Sequence, residues 1–140
     1  MKIHVVNWQD RENPQAGGAE AHLHEIFGRL ARRGHEVTLL CSAFAGALPR
    51  VTLDGIDVHR VGARYSFPLT AWPYWQRVLA RHRPDVLVED INKVPLLTPW
   101  WGARHTVALV HHLFGTTAFA EASPPIATAV WASERPLGWF

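Results

Sequence analysis

The chain has one cysteine and one methionine among 140 residues, and no large surplus of either charge. Cys41 alone excludes an internal disulfide framework and points to a reducing compartment. At the end of an apolar strand it reads as a buried, inert thiol rather than a nucleophile. Fourteen Lys and Arg stand against 12 Asp and Glu, a formal charge of +2. That imbalance is too small to argue for nucleic acid, and the cations spread over three stretches without a set of stacking aromatics. No apolar run approaches the roughly 20 residues of a membrane span. No basic segment with an apolar core follows Met1, so no signal peptide is expected. The Gly-Lys-Ser/Thr triplet of a P-loop is missing. So is the dinucleotide fingerprint: Trp8 to Ala16 separate the first strand from Gly17-Gly18 and no third glycine follows, which disfavours NAD. There is no internal repeat or low-complexity tract. With 48% hydrophobic and 19% charged residues, the composition leaves one globular domain, residues 1–140, with a sizeable core.

What is present alternates strand and helix. Lys2 to Asn7 carries Ile3, Val5 and Val6 and reads as a short buried strand. After Gly17-Gly18, the residues Leu23, Ile26, Phe27, Leu30 and Ala31 form one apolar stripe at helical spacing. Glu20 falls in the first turn and Arg29, Arg32 and Arg33 in the last, each sign where the helix dipole favours it. Gly34 stops the helix, and His35 to Cys41 resumes as a strand. Ala43 to Leu53 reads as a small-residue connection, and Asp54-Gly55 as a tight turn before a strand at Ile56 to Val61. A helix is expected over Thr70 to His82 with Pro73 in its first turn. A strand is expected at Asp85 to Glu89, irregular turns over Lys93 to Trp101, a strand at His105 to Val110 and a helix over Pro125 to Arg135. The fold class is therefore α/β, a Rossmann-like doubly wound parallel sheet of order 3-2-1-4-5.

In such a sheet ligands bind beyond the carboxyl ends of the strands. Asn7 with Gly17-Gly18, Glu89-Asp90 with Asn92, and His111-His112 all gather there. A loop opening a helix with two glycines presents free backbone N–H groups to an anion, although Gly17-Gly18 also reads simply as a flexible helix start. Glu20 and His24 lie one helical turn apart and could meet as a surface pair. His22, His24 and Glu25 lack the zinc spacing, so no metal is expected. Adjacent residues at a strand end point in opposite directions, so one of His111 and His112 can face the crevice while the other packs away. Glu89-Asp90 has two readings, general acid/base material or a cap on the following turn. Four tryptophans, at 72, 75, 100 and 101, exceed what a small core needs. They could line a groove, seat against membrane headgroups or pack a missing neighbour.

Asn13-Pro14-Gln15-Ala16-Gly17-Gly18-Ala19-Glu20, the helix end Arg33-Gly34-His35-Glu36-Val37-Thr38, the segment Arg83-Pro84-Asp85-Val86 and the strand-end His111, in this order, resemble the N-terminal, acceptor-side domain of retaining GT-B glycosyltransferases of family four. The resemblance covers the whole chain. It implies half of a GT-B fold, with a nucleotide sugar as donor substrate, a sugar or lipid-linked acceptor, and no other cofactor. It implies that Gly17 and Gly18 let amides approach the donor diphosphate or sugar, and that His111 is catalytic, beside the reacting groups. Glu20, His112 and Glu89 are implied as acceptor contacts or loop support. The C-terminal donor domain is expected to follow Phe140, so the chain reads as a truncated half, inactive alone. It is expected in the cytoplasm, with peripheral membrane contact open. Two other readings remain: a stand-alone, non-catalytic module for an anionic or nucleotide ligand, and a hydrolase using Glu89, Asp90 and the histidines.

Overall fold

Parallel strands need helical crossovers, and this chain supplies them on both faces of one sheet. The computed structural model describes residues 1–139; Phe140, the last residue of the expected domain, lies outside them. The strands are β1 (Lys2–Val6), β2 (Glu36–Ser42), β3 (Arg50–Leu53), β4 (Ile56–Val61), β5 (Val86–Ile91) and β6 (Thr106–Val110). Their order is β3-β4-β2-β1-β5-β6, with only β3 antiparallel. Without β3 this is the expected order, so β1 and β5 flank the point where the winding reverses.

Side-chain alternation sorts the core into two layers. Ile3, Val5, Leu39, Cys41, Val58 and Val88 face helix α1 (Gly18–Arg32), which buries Leu23 and Phe27 against them. Val6, Leu40 and Leu87 face the other way, onto α2 (Phe67–Tyr74) and onto Trp75, Leu79 and Trp101. Two short helices, α3 (Ala118–Glu121) and α4 (Pro124–Glu134), follow β6. No helix among the described residues is long and apolar enough to cross a membrane.

Three expectations need correction. The connection over Ala43 to Leu53 contains a strand: β3 pairs with β4 through a hairpin in which Asp54 (φ 54°) and Gly55 (φ 83°) both take positive φ. That geometry suits the right-handed twist of the two strands, and Asp and Gly tolerate it. The helix expected from Thr70 begins earlier, at Phe67, so Pro73 sits inside it rather than in its first turn. Proline has no N–H to give to the preceding turn. The chain continues as a π-helical turn over Trp75–Leu79 and a 3₁₀ turn over Ala80–His82. Finally, Trp75 and Trp101 are buried core residues, while Trp72 and Trp100 are exposed.

Candidate functional site

The carboxyl edge of the sheet is shaped first by the loop between β1 and α1. Asn7 donates from Nδ2 to the carbonyl of Gln9 and accepts from the amide of Trp8, which turns the chain as it leaves the strand. Asp10 then plunges into the interior, where Arg60 donates to both its oxygens at 2.7 and 3.0 Å and Cys41 donates at 3.3 Å. Burial pushes the Asp10 carboxyl up, but the bonds from Arg60 win and hold it below the ordinary range. The same burial pushes the Cys41 thiol up, which keeps it protonated and inert. Asn13 caps its own turn by accepting from Gln15, and the loop reaches Gly17 on a fixed path.

Gly17 is the N-cap of α1, and both Gly17 and Gly18 are exposed. Neither glycine is demanded by the fold itself. Gly17 has φ −136°, open to any residue, and a Cβ there would meet only the Glu20 carboxylate at 3.8 Å; a Cβ on Gly18 would meet nothing. The missing side chains therefore leave room for something outside the chain. The amides of Gly18 and Ala19 have no hydrogen-bond partner among the described residues. Glu20, buried, reaches back and accepts from the Gly17 amide at 2.7 Å, so one of the free N–H groups is already answered by a carboxylate.

Glu20 ties this turn to β5. Its other oxygen accepts from Nδ2 of Asn92 at 2.6 Å, and Nζ of Lys93 lies 3.9 Å away while donating to Oε1 of Gln9. Burial depresses the Lys93 ammonium and Glu20 partly restores it. The expected surface pair of Glu20 with His24 does not form. His24 is buried and turns instead to Asp54, with Nδ1 at 2.9 Å, while the Glu20 carboxylate is taken up by Gly17 and Asn92.

His111 completes the cluster. Val110 pairs with Ile91 at the end of the β5–β6 ladder, so His111 emerges one residue past it. Its Nε2 lies 2.7 Å from Oδ1 of Asp90, and its ring stands edge-on to His22 of α1 at 5.1 Å. Asp90 is 1% exposed, and beyond this close contact with His111 neither of its oxygens has a hydrogen-bond partner among the described residues. Burial raises its carboxyl to about 6, opposed by His111 and reinforced by Glu20. His112 points away and packs edge-on against Phe114, whose amide, with that of Gly115, donates to Glu134 of α4. Of the two histidines, His111 is the one brought to the glycine helix.

Glu89 lies inside β5, on the opposite face from Asp90. It accepts from the amide and hydroxyl of Thr98 and from the amide of Leu96, so its carboxylate organises the turn after β5. It is not gathered with His111. Sequence reasoning weighed His22 only as a metal ligand, did not single out Lys93 or the Asp10–Arg60 pair that pins the loop, and gave Asp90 no role apart from Glu89. A strand-parity signal for Asp90 was available: it stands two residues after Val88, which faces α1.

Cavity size does not mark this edge. A cavity of about 880 Å³ opens at the amino ends of the strands between Trp75, Arg83 and Trp101, while one of about 330 Å³ opens beside Gly17, lined by Arg11, His24 and Asp54. Comparison with known families matches residues 17–139 to the glycosyl transferase 4-like domain. No curated protein matches the chain.

Proposed function

The chain belongs to the glycosyl transferase 4-like domain family, and from that premise we propose that it forms the acceptor-side half of an enzyme transferring a sugar from a nucleotide-sugar donor, with retention of configuration. A second, donor-binding domain would complete the cleft. The observation that carries this reading is the convergence of two groups on one sheet edge. Exposed glycine amides at the start of α1 and a carboxylate-backed imidazole at the end of β6 are joined through Glu20, Asn92 and His22.

Each group has a task in such a transfer. As the bond from the anomeric carbon to the leaving phosphate breaks, negative charge grows on the diphosphate. Amides already aimed outward at a helix start stabilise that charge without reorganising. His111, oriented by Asp90, hydrogen-bonds the sugar or acceptor hydroxyl at the reacting centre. Glu20 holds Gly17 against Asn92 and so keeps the amide turn in register with β5. His112 and Glu89 act as loop support. This reading takes the nucleotide sugar as substrate and needs no further organic cofactor.

The test is to titrate the protein, alone and with a donor-binding domain supplied, against a panel of nucleotide sugars, and to determine the anomeric configuration of any product by NMR. Transfer with the donor's configuration kept is expected. An inverted product, or no interaction with any nucleotide sugar in the completed pair, would overturn the reading.

A further inference from the structure

The amino edge of the sheet, at the opposite ends of the strands from the glycine turn, carries a second set of unanswered polar groups. The cavity of about 880 Å³ there is walled by Trp75 and Trp101, whose ring centroids lie 5.9 Å apart. Both tryptophans are core residues, yet only one is satisfied. Nε1 of Trp101 donates to the carbonyl of Leu96 at 3.2 Å, whereas Nε1 of Trp75 is buried with no partner among the described residues. A buried indole N–H ordinarily finds an acceptor. Gln76, on the same π-helical turn as Trp75, donates to the carbonyl of Trp101 and ties the two walls together. Turns of this kind are rare and recur at functional sites. Charge at the cavity is one-sided. Arg83 and Arg104 line it against the single carboxylate of Asp85, which is engaged with β1 by accepting from the Lys2 amide at 2.7 Å. Arg83 also holds a left-handed backbone, φ 51°, uncommon for a residue other than glycine. Both arginines are exposed, and neither guanidinium has a hydrogen-bond or carboxylate partner among the described residues.

We propose that this cavity binds a small organic anion, with an aromatic body against Trp75 and Trp101 and a phosphate or carboxylate on Arg83 and Arg104. An acceptor atom of the ligand answers the Trp75 indole N–H. Guanidinium forks match phosphate and carboxylate oxygens in pairs, and an unpaired one gives up no protein partner to do so. The volume falls within the roughly 300–1,000 Å³ of small-molecule sites, and apolar walls with a few polar groups are their usual make-up. The inference stands independently of sugar transfer, because Gly17, Gly18 and His111 lie at the carboxyl ends of the strands.

Proton–nitrogen correlation NMR of the intact chain tests it, with the indole resonance of Trp75 identified by its loss in Trp75→Phe. The probes are uridine monophosphate, indole-3-acetate, uridine and inorganic phosphate. A saturable downfield shift of that resonance is expected with uridine monophosphate or indole-3-acetate, and the tighter of the two tells phosphate from carboxylate. Uridine and inorganic phosphate each lack half of the recognised chemistry and should bind about tenfold more weakly or worse. Arg83→Gln/Arg104→Gln removes the charged hydrogen bonds and should weaken the organic anion by about tenfold or more. Both arginines are exposed, so circular dichroism should show this variant folded. Gly18→Val should leave the binding unchanged. No shift of the Trp75 resonance at millimolar probe would overturn the proposal, as would binding that the double arginine variant retains. So would binding lost in Gly18→Val, since the anion would then sit on the glycine turn.

Discussion

Asp90 and His111 face each other across the last rung of the β5–β6 ladder, with Oδ1 and Nε2 2.7 Å apart. Burial holds the Asp90 carboxyl up at about 6, within reach of physiological acidification. Above that value the charged carboxylate attracts the imidazole it touches; below it the acid is neutral and that attraction is lost. Transfer by the completed enzyme should therefore fall on the acid side with a midpoint near 6. Asp90→Asn should remove this limb and lower kcat by roughly tenfold to a hundredfold, the scale of a misoriented acid/base group. A pH–rate profile checks both, and a variant with the parent profile and rate would remove Asp90 from the mechanism.

Gly17 and Gly18 separate function from fold. Their backbone accepts a side chain and their surroundings have room for one. Gly18→Val should leave stability within about 0.5 kcal/mol of the parent, because valine is no poorer a helix former than glycine and a Cβ there meets nothing. The same substitution puts a branched side chain where the amides face outward. kcat/KM for the nucleotide sugar should drop by roughly a hundredfold, as when an anion-stabilising donor is lost. Thermal melting beside steady-state kinetics distinguishes the two effects. Unchanged kinetics would mean that no anion sits on these amides.

The loop carrying those glycines is held from fifty residues away. Arg60 and Asp10 are both buried and doubly bonded, with Glu12 adding a contact to Arg60 at 2.8 Å. Removing one member of such a pair leaves an uncompensated buried charge, which costs about 3–5 kcal/mol. Arg60→Met should lose stability on that scale in urea unfolding, and Asp10→Asn/Arg60→Met should recover part of it. A single variant that unfolds with the parent midpoint would show that water satisfies Asp10 instead.

Much of this architecture was legible because it rests on local periodicity. The apolar stripe of α1, the glycine stop at Gly34 and the Val/Ile/Leu runs of β1, β2 and β5 each determine one element, and their alternation determines the sheet. Features set by distant partners were not legible. Nothing near Asp10 signals Arg60, and nothing near His24 signals Asp54. The four residues of β3 are too few for a pattern, and only the Asp54-Gly55 turn marks the hairpin. Pro73 argues against a helix interior by its own chemistry, and the packing of Ala71 and Trp75 onto the sheet overrides it. Glu89 and Asp90 were ambiguous as a pair because strand alternation sends neighbours to opposite faces. The structure gives Glu89 to the Thr98 turn and Asp90 to His111.

His4 and Asp90 set opposing pH dependences on stability. His4 is buried on the α2 face against Trp75, with Nδ1 unbonded among the described residues. Burial first, then the nearby His82, His59 and Lys2, lower it to about 4 from 6.5. Between those values the unfolded chain takes up a proton that the folded one refuses. Stability is therefore lost as pH falls from 6.5 toward 4, by on the order of 3 kcal/mol. Asp90 acts in reverse. Its folded value of about 6 exceeds the ordinary 3.8, so the folded state binds the extra proton and stability falls as pH rises through the same window. The two slopes partly cancel in the native protein, and each variant exposes the other. Denaturant unfolding between pH 4.5 and 6.5 should show His4→Phe gaining stability toward acid, with Asp90 unmasked. Asp90→Asn should lose stability toward acid, with His4 unmasked. Parallel profiles for both variants and the native chain would mean that neither group is held away from its ordinary titration by burial.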